Sequence, residues 1–499
     1  MRFHSGSRGI AILASATLSP LSVLGFEVRD TVKNACDQLR SAYPEALLMP
    51  NSTAYEEERI NFWDKRSNLN PACIFLPETA DAVAEGVAIF HKEKAQFAVR
   101  GGGHMNYPGS NSVDGGVLVG LNGLTDIKVD TNQSRIEVGP GNKWVDVYTA
   151  LAPSGHYTIG GRLKTIGVPG LSLIGGVGYF LNKYGFTMDN VLSYDVVLGN
   201  GTQVVANATS NPGLFWALKG GGSNFGLVTK FVFKTYHIPQ VSSTYQIFDD
   251  SQAHDFIRAA CSMLLSEDGA VGAGAVVNIN YNVTTKKATP QVFGLEESTT
   301  SPPPRFNAFS SLPAVSRRNS VMRPVDWHSQ METPNQMFRV QFGHHTIKPD
   351  ADQLIYIYDQ WIAAIEEVAE VPGIWPTFIL NFAPKSGAAV AKRNGVGNTF
   401  GLNDDESHIW WQFTTSWANE EDDLRVTAWH QHHLKRLHEL NKQKGLASDF
   451  LYMGDSGEWQ DSISTYGDRN IQKMRKIRDL YDPDLTFTKL NWGGFKLGY

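Results

Sequence analysis

The stretch FAVRGGGHM, residues 97–105, decides how the rest of the chain is read. Phe97, Ala98 and Val99 have the look of a buried strand, and the three glycines after Arg100 let the backbone turn sharply, with His104 set directly on the loop. Upstream, CIFLP (73–77) reads as another strand. Between them Ala80–Lys92 reads as a helix, with Val83, Val87 and Phe90 on one face. The three elements make a βαβ unit that ends in a glycine loop. Working outward, Val32, Ala35, Cys36 and Leu39 recur at helical spacing before it. After it come short strands at 116–121, 126–130 and 135–139 and a helix over Lys143–Leu151. A second glycine-rich segment, GGRLKTIGVPGLSLIGGVGYF, spans 160–180. YDVVLGNGTQVVA (194–206) predicts a β-hairpin, with Asn200-Gly201 as the positive-φ pair of a type I′ turn. LFWALKGGGSNFGLVTKFVFKTY (214–236) reads as a helix, a third glycine cluster and a strand.

Composition bounds the function. The 499 residues are 42% hydrophobic and carry 44 Lys plus Arg against 50 Asp plus Glu, a formal charge of −6 without long like-charge runs. That length exceeds what one core organises, and the charge pattern offers no footprint for a phosphate backbone, so nucleic acid is not an expected partner. Arg2, Arg8, the apolar run Ile10–Leu18 and the small residues near Gly25 read as a secretory signal peptide over 1–25. No other apolar run is long enough to span a membrane, which leaves a secreted or secretory-lumen protein as the expectation. Cys36 and Cys73 can pair in that setting, leaving Cys261 as a buried thiol, and the sequons at Asn51, Asn132, Asn200, Asn207 and Asn282 permit glycosylation. Past Pro239 the glycine clusters stop and a loop such as STTSPPP (298–304) appears. The last fifty residues return to a compact pattern, a helix around Ile471, Met474, Ile477 and Arg478 that leads through YDPD into an expected final strand, TFTKLNW.

Three glycine clusters suit a large anionic cofactor, because backbone N–H groups can approach phosphate oxygens where no Cβ intervenes. A Rossmann fingerprint fits poorly: Gly220, Gly222 and Gly226 carry one residue too many. Each cluster alone is equally a set of turns. Taken in order, however, residues 75–124 and 160–231 resemble the FAD-binding domain of berberine-bridge-enzyme-like oxidases, within the PCMH-type vanillyl-alcohol oxidase superfamily. STYGDRNIQKMRKIRDLYDPDLTF (464–487) looks like that family's C-terminal return to the flavin, and NGVGNTFGLNDDESHIWWQFTTSWANEED (394–422) resembles the substrate domain of its fungal secondary-metabolism members.

The resemblance implies an α+β fold: a two-part FAD-binding domain (26–238 and 450–499) and an inserted antiparallel-sheet substrate domain (239–449). It implies that Arg100, Gly101, Gly102, Gly103 and His104 wrap the pyrophosphate and that His104 is joined covalently to the flavin 8α position. Gly161, Val168, Gly175, Gly176, Gly178 and Val228 would extend the cofactor cradle, with Asn470 and Asn491 from the tail. Bicovalent members add a cysteine in the second glycine segment, where Val168 or a close neighbour stands here, and this chain has none from 74 to 260, which implies one covalent link. The expected activity is oxidation of a small organic alcohol or amine, with O2 as acceptor and H2O2 as product.

Hydride transfer from a carbon bearing O–H or N–H needs a base and an aligning pocket. FLYMGDSGEW (450–459) resembles the family's tyrosine-bearing strand over the flavin, which makes Tyr452 and Asp455 the catalytic candidates, though its wording departs from the family's at Gly454 and Asp455. Trp375, Trp410, Trp411 and Trp417 suit either an apolar substrate face or core packing. GDSG (454–457) lacks the contexts of a serine hydrolase. His430, His432, His433 and His438 lack a metal-site spacing and read as a solvated amphipathic helix. Two rival readings are an oxidative or pericyclic cyclase on the same scaffold and a redox-silent binding glycoprotein.

Overall fold

The computed structural model describes residues 20–333, 336 and 338–498. Most of the proposed leader, 1–19, lies outside them; its remainder belongs to a helix, Pro20–Ala42. The quoted βαβ unit forms as read: strands Cys73–Phe75 and Phe97–Arg100 flank the helix Ala80–Glu93, and both pair in parallel with Val117–Gly120. Thr79 starts that helix by accepting the Ala82 N–H (3.1 Å), and its apolar face, Val83, Val87 and Phe90, is buried. Helix Pro20–Ala42 is joined to the same sheet through a disulfide between Cys36 and Cys73, and Cys261 is a buried free thiol.

A second sheet, antiparallel, runs in the order Ile127–Asp130, Arg135–Val138, Leu227–Lys234, Val191–Val197, Gln203–Asn207. Its last hairpin departs from the expected type I′ turn. Only Gly201 has positive φ (85°), and Gly201 N–H bonds to Leu198 C=O, so Gly199 and Asn200 form the centre of the turn and Gly201 supplies the left-handed residue that follows it.

Residues 241–448 build an antiparallel sheet of eight strands. Its order is Ala314–Met322, Val241–Phe248, Lys287–Glu296, Ala273–Asn282, Trp375–Ala383, His408–Trp417, Arg339–Ile347, Ala447–Ser448. Helices Ala253–Leu264, Ala351–Ile365 and Asp423–Gln443 cover one face and enclose a core that includes Trp361, Trp411, Trp417 and Phe413. The opposite face looks toward the glycine loops. Gly274 sets how closely that sheet meets the rest: a Cβ there would lie 1.9 Å from the Tyr179 carbonyl oxygen.

Three expectations are corrected. The histidines of helix Asp423–Gln443 are not a solvated face. His430, His433 and His438 are buried and point at Phe413 C=O (3.0 Å), the Glu367 carboxylate (3.1 Å) and the His345 ring (3.7 Å between centroids), while His432 is exposed. TFTKLNW is not a strand: Thr486–Lys489 is a helical turn because the buried Asp482 carboxylate accepts the Thr486 and Phe487 N–H groups (2.9 and 2.8 Å). The 450–459 stretch is not a strand either. Its ladder groups are taken by side chains, Tyr452 N–H by His344 Nε2 (2.9 Å), Leu451 N–H by Thr465 Oγ1 (3.1 Å) and Phe450 C=O by the Thr346 hydroxyl (2.5 Å).

The disulfide closes a loop across a sequence separation of 37. Replacing both cysteines by serine is expected to destabilise the sheet it anchors by about 3–4 kcal/mol, read as a lower urea midpoint for the N-terminal region by hydrogen exchange.

Candidate active site

The glycine loops and the open face of the large sheet enclose a cavity of about 980 Å³. Gly101, Gly102, Gly103 and His104 line it on one side, facing Ile166, Gly167 and Pro169 of the second glycine segment. The two loops touch backbone to backbone: a Cβ on Gly102 would lie 2.4 Å from Gly167 N, and one on Gly167 would lie 2.4 Å from Gly102 N. No side chain other than hydrogen fits at either position. The loop so held presents His104, whose ring stacks on Trp63 (4.6 Å, 11°) with Nε2 3.2 Å from both the Thr165 and the Thr333 hydroxyl. Burial pushes its imidazole down to about 4, so the ring is neutral at pH 7.

A second polar group sits across the cavity. Asn381, on strand Trp375–Ala383, donates from Nδ2 to Asp455 Oδ2 (2.9 Å) and to Gln412 Oε1 (3.1 Å), while its Oδ1 accepts from the Arg162 guanidinium (3.1 Å). Burial pushes the Asp455 carboxyl up to about 6, against the opposing pull of Arg162 and Asn381. Tyr452 packs flat on Trp410 (4.9 Å, 13°), and its hydroxyl accepts the Gly176 N–H (3.2 Å). Burial, then the nearby Asp455, raise its phenol well above the ordinary value, so it keeps its proton. Arg66, buried, binds Asp64 (2.9 Å), Gln341 Oε1 (2.9 Å), Asn106 C=O (2.7 Å) and Glu458 (3.2 Å), tying four segments of the chain together.

Of the residues singled out from sequence, Gly101–His104, Val228, Asn491, Tyr452 and Asp455 line this one cavity. Others do not. Arg100 follows cavity-lining Val99 on a strand, so its side chain leaves by the other face and pairs with Glu58. Gly161 is pressed on Trp144, where a Cβ would meet the indole at 2.6 Å, and Val168 is wholly buried. Gly175 and Gly176, at φ 109° and 84°, form a turn against Phe400, Thr187 and Tyr452, and Gly178 abuts Gly160 C=O. They shape the support under Tyr452 and not the wall itself. Asn470 bonds to Thr399 C=O (3.0 Å), away from the cavity. None of Trp375, Trp410, Trp411 and Trp417 lines the cavity; Trp375 is exposed and the other three are buried. Arg162, Asn381, Trp63 and Thr333 were not anticipated. Arg162 lay within the quoted second glycine segment, the only signal available for any of them.

A family model described as FAD binding domain matches residues 71–207. The chain is 31% identical over 479 residues to FAD-dependent monooxygenase prx3 of Penicillium roqueforti, covering 93% of each. In fold it is similar to BBE-like 1 of Physcomitrella patens (TM-score 0.77, 19% identity, 93% of this chain and 99% of that one). It is also similar to glucooligosaccharide oxidase of Acremonium strictum (TM-score 0.74, 17% identity, 93% and 100%), described with a 6-S-cysteinyl, 8α-N1-histidyl FAD. The residues present fit FAD. The glycine loops offer backbone without intervening Cβ atoms, and four buried polar atoms of the cavity lining, Asn106 Nδ2, Ser110 Oγ, Asn111 Oδ1 and Asn491 Oδ1, have no protein partner.

Because a methyl group at either glycine collides with main chain, Gly102→Ala and Gly167→Ala are each expected to lower the flavin absorbance retained per mole of purified protein by roughly tenfold or more. Circular dichroism should stay near that of the parent.

Proposed function

Since the chain belongs to the PCMH-type, berberine-bridge-enzyme-like family of FAD-dependent oxidoreductases, we propose that it oxidises a small organic alcohol or amine by hydride transfer to FAD held covalently through His104. In this reading O2 accepts the electrons and H2O2 is released. The observation that carries the proposal is the placement of the His104 loop and the Asp455–Asn381–Arg162 group on one cavity. A redox-silent binding protein does not accord with the family.

FAD, once bound, supplies the hydride acceptor and its covalent tether would sit at His104. A neutral imidazole keeps a lone pair available for that bond, and its stacking on Trp63 fixes the ring's plane. The second glycine segment carries no cysteine, and none occurs from 74 to 260, which supports a single link. Across the cavity Asp455 takes the substrate's O–H or N–H proton. A carboxyl near 6 is ionised at neutral pH yet basic enough to accept a proton, the compromise that general-base catalysis favours. Asn381 fixes the carboxylate's orientation by holding Oδ2, and Tyr452, still protonated, aligns the substrate oxygen or nitrogen. The largely apolar lining keeps water from the reacting carbon. In this division the segments 26–238 and 450–499 serve the cofactor and 239–449 the substrate. The Cys36–Cys73 bond supports passage through a secretory compartment, with removal of residues 1–25.

Two outcomes test the reading. Acid-precipitated protein should keep its yellow colour and His104→Ala should lose it; colour that stays with the His104→Ala polypeptide ends the covalent assignment. Below about pH 6 Asp455 is protonated and cannot accept, so kcat should fall as pH drops through that value. In Asp455→Asn that limb should vanish and kcat should drop on the order of 10²–10⁴-fold; a retained limb would assign the base elsewhere.

A further inference from the structure

One row of side chains crosses the large sheet at the end of the cavity away from Asp455. Arg318 stands directly opposite Tyr245 on the neighbouring strand, Tyr245 opposite Phe293, and Phe293 opposite Val276. All four line the cavity. The Tyr245 and Phe293 rings lie nearly parallel, 4.7 Å apart at 18°, stacked on each other as one aromatic pair. At the outer end of the row is a cation. The other charged groups of the wall are engaged: Arg162 with Asn381 and Ala275 C=O, Asp455 with Asn381, Glu332 with Lys164 at 2.7 Å. Arg318 differs. Among the described residues no carboxylate lies within ion-pair distance of it, whereas Arg317, on the opposite face of the strand, bonds to Gln246 and Leu312 C=O. Between this ring pair and the base, Asn278 also lines the cavity and its buried Oδ1 has no protein partner, an acceptor left for a ligand's O–H or N–H.

We propose that this end of the cavity binds the anionic group of an elongated planar substrate, a carboxylate or enolate seated on Arg318 with its conjugated body packed against the Tyr245–Phe293 pair. The inference rests on the reading that the cavity holds the molecule to be oxidised, and it names that molecule's class. A guanidinium offers paired donors to a carboxylate, and a stacked ring pair rewards an aromatic body, through edge-to-face contact, without demanding hydroxyls. Strand spacing sets the length. The strand bearing Arg318 is four steps from the one bearing Asn381, about 19 Å, and the arginine's own reach shortens that, so anion and reacting carbon are on the order of 10–20 Å apart.

The test is calorimetric titration of the holoenzyme with biphenyl-4-carboxylate and with biphenyl-4-carboxamide, which match in shape and differ in charge. The carboxylate is expected to bind roughly tenfold tighter or more at low salt. That preference should fall to within about twofold in Arg318→Met and persist in Arg318→Lys, while Tyr245→Leu should weaken both ligands alike. Equal affinities in the parent, no measurable binding of the carboxylate, or a preference that survives Arg318→Met overturns the proposal. The flavin spectrum of the same samples reports on the redox reading separately, because heat of binding is read whether or not the flavin is reducible.

Discussion

The contact on which the site depends is the meeting of two main chains, Gly102 against Gly167, at a separation that leaves no room for a methyl group. It brings a loop from the parallel sheet against a loop that precedes the helix Val168–Leu173, and so sets where His104 stands. Thr165 belongs to the second loop, Trp63 to the segment before strand Cys73–Phe75 and Thr333 to the segment after helix Pro324–His328, so the ring is held by three separate stretches of chain. A side chain on a flexible loop would need such bracing to hold one orientation.

Opposite that contact the wall is polar and deeply set, and its charges are arranged in pairs through amides. Asn381 stands between Arg162 and Asp455, its two ends matched to the two charges, so neither ion is buried without a partner. Arg66 is paired directly instead, with the Asp64 and Glu458 carboxylates, the Gln341 amide and a main-chain carbonyl around a single guanidinium. Buried charges of this kind gain little stability, but they specify geometry. Here they join the sheet to the segments carrying His104 and Asp455.

Local patterns in the sequence revealed most of the scaffold. The alternation and helical spacing around residues 73–105 are local signals, and they became the elements they resembled. Misreadings arose where a distant group decided the backbone. TFTK has β-branched residues suited to a strand, yet Asp482 captures its N–H groups; FLYM looks extended, yet His344, Thr346 and Thr465 take its hydrogen bonds. The glycines show the same limit. Gly101–Gly103 line the cavity, while Gly161, Gly175, Gly176 and Gly178 make room for Trp144, Phe400, Thr187 and a neighbouring carbonyl, and composition cannot distinguish a glycine that admits a ligand from one that admits an indole. Asn381 and Arg318 stand on strands whose sequences carry no motif at all. Their places on the cavity come from register across the sheet, which only the folded chain displays.

The bridge between Phe97 and Asn491, with Asn224 held by Phe495 C=O (3.1 Å) and Leu497 N–H (3.0 Å), places residues 491–497 in the same wall as the early glycine loop. During synthesis on the ribosome that loop emerges hundreds of residues before its partner. The chamber therefore stays unfinished until residues 491–497 have been made, so the early glycine loop folds before the cradle it belongs to is complete.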